Sequence, residues 1–247
     1  MARERMFLAD RWQGALELIW RANSPDTAPV ILSERSLTQS QITARLSWAP
    51  GLRLGGPVRL FARVLAGTEG RGLLPEGRTV QAGAGISFQP LASENLVLAA
   101  ERLVAIGRFA RDDWLLRAAW SRGGDWLPGI DGDRPKLFWS LYLDAALIDP
   151  GDPDLLGNAQ LRLARQWFRG ERIIRAGVAL TAFGQRDDFG TVTLVQGEPQ
   201  LELIWPLGPL SGPAPLRMLV FGVSFQTKLV GSSRNNRGLA VQIGYRF

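Results

Sequence analysis

The sequence predicts an all-β protein: one antiparallel up-and-down transmembrane β-barrel of about twelve strands, within about ten to sixteen. Three observations predict it. Apolar and polar residues alternate with a period of two in segment after segment. Tryptophans fall near the ends of those segments, and the last segment closes on Tyr245-Arg246-Phe247.

The first alternating segment lies near residues 13–21, and residues 28–34 offer a further candidate. In 41–48, Ile42, Ala44, Leu46 and Trp48 share one face, opposite Gln41, Thr43, Arg45 and Ser47. Residues 58–65 follow. From Thr79 to Gln89 the apolar face is Val80, Ala82, Ala84, Ile86 and Phe88, and the other face carries Gln81, Gly83, Gly85 and Ser87. Such strict alternation excludes a helix, whose apolar residues recur every three or four positions. Residues 96–104 read as a strand, although Leu96 to Ile106 also fits a short helix. Strands follow near 114–121 and 137–147. Ala159, Leu161 and Leu163 then oppose Asn158, Gln160 and Arg162, and Ile174, Ala176, Val178 and Leu180 oppose Arg175, Gly177 and Thr181. Residues 191–205 form one strand, or two with a turn at Gly197. Leu219 to Gln226 and Leu239 to Phe247 complete the set.

Between the strands lie clusters of Gly, Pro, Asp and Asn: 67–77, 123–135, 149–154, 184–190, 206–215 and 231–238. These residues end pairing by fixing or freeing φ. No repeat, low-complexity tract or linker divides the chain, so residues 1–247 read as one domain.

Composition bounds the chemistry. The apolar fraction is 46% while mean hydropathy is −0.01. No run of about eighteen uncharged apolar residues could cross a bilayer as a helix. A strand needs none, since only alternate residues meet lipid. Lys+Arg 29 against Asp+Glu 23 gives a pI near 10.8, but the arginines are dispersed along the strands and no nucleic-acid partner is expected. Histidine and cysteine are absent. That excludes disulfides, Cys/His metal sites, thiol nucleophiles and imidazole acid–base catalysis. The start, Met1-Ala2-Arg3-Glu4-Arg5, leads into no signal peptide, so an exported barrel with this beginning is expected to be a mature segment, a domain of a longer chain or a truncated product.

Alternation alone also suits a soluble β-rich binding module. The tryptophans favour the membrane: Trp20, Trp48, Trp114, Trp120, Trp139, Trp167 and Trp205 are read as an interface girdle, indole ring in the acyl boundary and N–H among headgroups. The other reading is that they close the ends of a soluble core. Backbone groups in lipid need internal partners, so such a sheet must close. Its polar phase would place Arg45, Arg59, Arg63, Arg117, Arg162, Arg175 and Arg246 in the lumen, with Glu17, Asp144 and Glu202 as partners. Two outcomes follow. The groups plug a narrow barrel with salt bridges, or they line an open path suited to anionic or hydroxyl-rich polymers.

Three stretches carry a family resemblance: Gln81-Ala82-Gly83-Ala84-Gly85-Ile86-Ser87-Phe88-Gln89-Pro90, Asn95 to Arg102, and Arg111-Asp112-Asp113-Trp114-Leu115-Leu116-Arg117-Ala118. They resemble the C-terminal barrel domain of the bacteriophage N-four adsorption protein A family, most clearly over 79–121, with the barrel signature continuing to Phe247. The resemblance implies a Gram-negative outer-membrane protein, similar in plan to secretins of cellulose and poly-N-acetylglucosamine. It implies passage of an exopolysaccharide or anchoring of the export complex, helical repeats in a periplasmic partner or domain, and outer loops that receive phage. Tyr245 and Phe247 resemble the terminal signal read by the barrel-assembly machinery.

The family supplies no catalytic motif. Without histidine, the serine and water chemistry of barrel hydrolases is closed, leaving only carboxylate pairs such as Asp112-Asp113 and Asp187-Asp188, which solvated turns explain better. Asp131-Gly132-Asp133 lacks the closing glutamate of a calcium loop, and Gly83 with Gly85 lacks the helix of a phosphate cradle. No enzyme activity, cofactor or metal is expected.

Overall fold

The computed structural model describes residues 11–21, 40–67, 77–91, 93–108, 110–125, 136–187, 190–207, 217–232 and 237–246. In order, the strands are β1 (Trp12–Arg21), β2 (Gln41–Trp48), β3 (Arg53–Leu54), β4 (Gly56–Gly67), β5 (Gln81–Phe88), β6 (Asn95–Ala105) and β7 (Asp113–Asp125). They continue with β8 (Lys136–Ile148), β9 (Asp154–Arg169), β10 (Arg172–Asp187), β11 (Gly190–Pro206), β12 (Met218–Gly231) and β13 (Arg237–Arg246). Every pairing is antiparallel. Because β1 pairs with both β2 and β13, and β2 pairs on to β4, twelve strands close into a ring. The two-residue β3 only adds a small hairpin to the start of β4. Closure leaves no ladder without a partner.

The start of β1 and the end of β13 lie at the same end of the ring, here called the terminal rim; the opposite end is the far rim. The long hairpins are β9, β10 and β11, of 16, 16 and 17 residues. A strand needs about ten residues to cross the hydrocarbon core, so these three extend beyond it.

Several boundaries differ from the sequence reading. Gly123 to Asp125 and Gly184 to Asp187 are strand, not turn, because a facing strand is long enough to pair with them. Residues 95–105 form a strand, not a helix, held on both sides by β5 and β7. Residues 190–206 are one strand; Gly197 pairs directly with Leu180, and the irregularity is a bulge at Val195/Gln196 facing β12. The strand expected from Thr79 begins at Gln81, after a single 3₁₀ turn over Gly77–Thr79. Residues 28–34, Asp131-Gly132-Asp133, Asp188 and Phe247 lie outside the described residues.

The two faces of the ring have opposite chemistry. Outward positions carry Leu, Val, Ile, Ala and aromatic side chains that are largely exposed: Val178 and Leu201 are each 54% accessible. Inward positions carry most of the strands' polar side chains, many of them buried, including Thr181 at 0% and Gln196 at 2%. Every Asp and Glu of the described strands lies on the inner phase, from Glu17 in β1 to Glu202 in β11. A soluble sandwich has the reverse arrangement.

Candidate functional site

The interior is the candidate site, and it is built in two layers. At the far rim, Leu103, Leu115, Ile148, Leu156, Phe183 and Leu194 form an apolar cluster, one side chain from each of six consecutive strands, β6 to β11. The other strands complete the level with Arg21, Gln41, Leu65, Gln81, Gln226 and Ala240, all buried. All twelve barrel strands therefore put a buried inward side chain at this end. Arg111 and Asp154 form an ion pair at the edge of the layer.

Towards the middle lies a layer of charge pairs. Arg63 Nε meets Glu101 Oε1 at 2.5 Å, both side chains about 5% exposed. They sit on β4 and β6, so the contact must cross β5. It does so at Gly83, which pairs with Arg63; a Cβ there would stand 1.8 Å from Glu101 Oε1. Glycine on the inner phase of β5 thus opens the path that a side chain would block. Arg117 donates to Asp144 through Nε (2.7 Å) and Nη2 (2.9 Å), a two-point match of guanidinium to carboxylate, and also to the Tyr142 hydroxyl (2.8 Å). Glu202 receives Arg162 at 3.3 Å and Arg175 at 3.2 Å. Gln160 donates to the Thr181 hydroxyl, which donates to Glu198, and Gln196 donates to the same carboxylate. Between the apolar cluster and these pairs lies a cavity of about 20 Å³, bordered by Arg63, Leu115, Arg117 and Phe183. That volume holds about one water.

Near the terminal rim the inner side chains open to solvent: Val97 is 38% accessible and Asp125 is exposed. Here cations stack on rings. Arg175 lies 3.9 Å over Phe138, and Lys136 lies 5.6 Å over Phe168. The interior is a cup, open at the terminal rim and filled at the far rim.

Each sequence-derived residue can be placed against this geometry. Arg45, Arg59, Arg63, Arg117, Arg162, Arg175, Arg246, Glu17, Asp144 and Glu202 share the inner phase. Asp144 and Glu202 meet arginines, whereas Glu17 accepts from the Gln242 amide, and Arg45 stacks 4.2 Å over Phe61. Glu101, Glu198 and the apolar cluster join the interior without any signal beyond their phase in the sequence. Asp112 accepts from the Ala105 amide, and Asp113, the first residue of β7, from the Trp114 amide. Asp187 likewise ends β10 and accepts from Gln185.

The tryptophans divide unequally between the rims. Trp48, Trp139, Trp167 and Trp205 face outward at the terminal rim, joined by Trp12, whose ring centroid is 6.1 Å from that of Trp48. Trp20 and Trp114 face outward at the far rim. Trp120 is mid-strand in β7, not near its end, because β7 runs on to Asp125. Strand stagger still pairs it with Leu96, at the start of β6, and its indole donates to Glu94 at 3.2 Å. Tyr245 faces outward beside Leu16 and Leu219.

A closed twelve-stranded antiparallel ring, apolar outside and charged within, is a β-barrel of the outer-membrane type. Residues 74–173 match the family described as bacteriophage N adsorption protein A C-term, so the resemblance seen over 79–121 is borne out and runs further along the chain. Among solved structures, the siderophore receptor PirA from Pseudomonas aeruginosa is similar at 12% identity and TM-score 0.35, over 93% of this chain and 41% of that one. This chain therefore spans less than half of that receptor's length. A bacterial polysaccharide outer membrane secretin is similar at 11% identity and TM-score 0.44, over 97% of this chain and 98% of that one. No curated protein matches the sequence.

Proposed function

We propose that this barrel is a non-enzymatic outer-membrane anchor for an exopolysaccharide-secretion assembly, with its own interior closed. One observation carries the closed-interior reading: all twelve strands contribute a buried side chain to the far-rim layer. Of the two outcomes left open by the sequence, a plug or a path, the filled layer favours the plug. It is made as much by leucine and phenylalanine as by salt bridges. A polymer of sugar width would need that layer to move. Lipid, exopolysaccharide and a helical-repeat protein are the partners this reading calls for, and the β13 ending through Tyr245 is the segment offered to the assembly machinery.

Planar-bilayer recording tests it. The refolded barrel is expected to give no steady conductance, and the triple variant L103A/F183A/L194A to give sustained ohmic steps. Steady conductance from the unaltered chain contradicts the plug. Loss of polymer secretion on deleting the gene supports the export role, and unchanged secretion counts against it. The adsorption-protein family match favours a second reading, in which the loops receive phage. Phage binding that survives deletion of the gene would remove it.

A further inference from the structure

At outward positions of the described strands the charges are of one sign. Outward positions of the described strands hold Arg102, Arg122, Arg165, Arg169, Arg172 and Arg186, and among the described strand residues none of these positions carries a carboxylate. Four of these arginines lie on β9 and β10, and three of them, Arg165, Arg169 and Arg172, lie towards the turn that joins the two strands. Arg169 and Arg172 are direct cross-strand partners on either side of that two-residue turn. Like charges in that register repel. The turn carboxylate, Glu171, is exposed and forms no ion pair with either among the described residues. Arg172 lies 4.2 Å over the ring of Trp205, which fixes its guanidinium plane on the outer surface. Arg165 is two outward positions deeper, next to Trp167 and opposite Leu137. Its four-atom stem can carry the guanidinium back along the apolar surface to the level of the other two.

We propose that this hairpin binds the phosphate of an anionic glycerophospholipid. The inference rests on the outer face lying in a bilayer. Tryptophan marks this rim as the interfacial level, where lipid phosphates sit. A phosphodiester bridging Arg169 and Arg172 relieves their repulsion and accepts paired N–H bonds from each; phosphatidylcholine has the same phosphodiester, but its trimethylammonium brings a further positive charge to the pair, which an anionic lipid does not. The acyl chains then lie along Leu163, Val178 and Leu201, all outward and exposed. Arg102 and Arg186, at the far rim, lack an arginine opposite them and serve as controls.

The test is native mass spectrometry of the refolded barrel released from mixed micelles holding phosphatidylglycerol and phosphatidylcholine at equal mole fraction. Retained phosphatidylglycerol is expected to exceed phosphatidylcholine by about twenty-five-fold, given roughly one factor of five for each of Arg169 and Arg172. R169Q/R172Q is expected to lower the ratio by that same factor, and R102Q/R186Q to leave it unchanged. Equal retention of the two lipids by the unaltered barrel overturns the proposal, as does a ratio unaffected by R169Q/R172Q. Displacement of the lipid by millimolar inorganic phosphate would also overturn it, marking a site for free anions. Should R169Q/R172Q not refold, R169K/R172K keeps the charge but not the paired geometry, and must lower the ratio. A barrel that folds in plain buffer without detergent would instead sink the membrane reading beneath it.

Discussion

Glu101→Gln is expected to lower the unfolding free energy of the barrel by about 3 kcal/mol, the cost of removing one charge from a buried ion pair. Glu101 and Arg63 are almost fully buried and 2.5 Å apart, inside a ring that gives the guanidinium little water. The amide is nearly the same shape as the carboxylate, so the loss measures charge and not packing. The double variant R63M/E101L removes both charges and fills the same space, and it is expected to recover most of the loss. Denaturant unfolding of the refolded protein in detergent reads all three. A single variant as stable as the parent would mean that the pair is solvated and the interior wet.

Gly177→Ala is expected to cost about 3 kcal/mol or to block refolding, because the added carbon meets main chain and not a movable side chain. Its Cβ would stand 2.0 Å from the Leu163 carbonyl oxygen and 2.5 Å from Ala164 Cα, both on the neighbouring strand β9. The β9–β10 ladder would have to part there, at the middle of the two strands. Gly184→Ala on the same strand meets nothing within 4 Å and is expected to change stability by less than about 0.5 kcal/mol. Heat-dependent gel mobility of the two variants separates a local clash from a general intolerance of side chains in β10. Equal behaviour would contradict the register assigned to this hairpin.

Much of this fold is legible in the sequence, because a strand's side-chain period is two and a barrel has only two faces. Ile42, Ala44, Leu46 and Trp48 announce their common outward face without any partner being known. Strand ends are less legible. Gly123-Gly124-Asp125 has turn chemistry and is nevertheless strand, because Ser140, Trp139 and Phe138 of β8 pair with it. The far-rim layer was hidden for another reason. Leu115 occupies the same phase as Arg117, and Leu103 the same phase as Glu101, so alternation marks them inward without saying that inward is dry at that level. In β6 both phases are apolar around Glu101, which is also why that segment could pass for a helix. Partnerships needed the register. The polar phase puts Arg117 and Asp144 on one face, but only the pairing of Ala119 with Asp144 brings them within reach. The Arg63 contact also required the stagger that sets Gly83 between the two strands.

The most direct measurement is gel mobility of the chain refolded into detergent, run unboiled and boiled, alongside the same chain taken into plain buffer. A closed transmembrane barrel stays compact in the unboiled sample and migrates faster than after boiling, and it fails to remain dispersed without detergent. A monodisperse protein in plain buffer, with no difference between the two gel samples, would contradict the barrel's outward apolar face and with it the whole account.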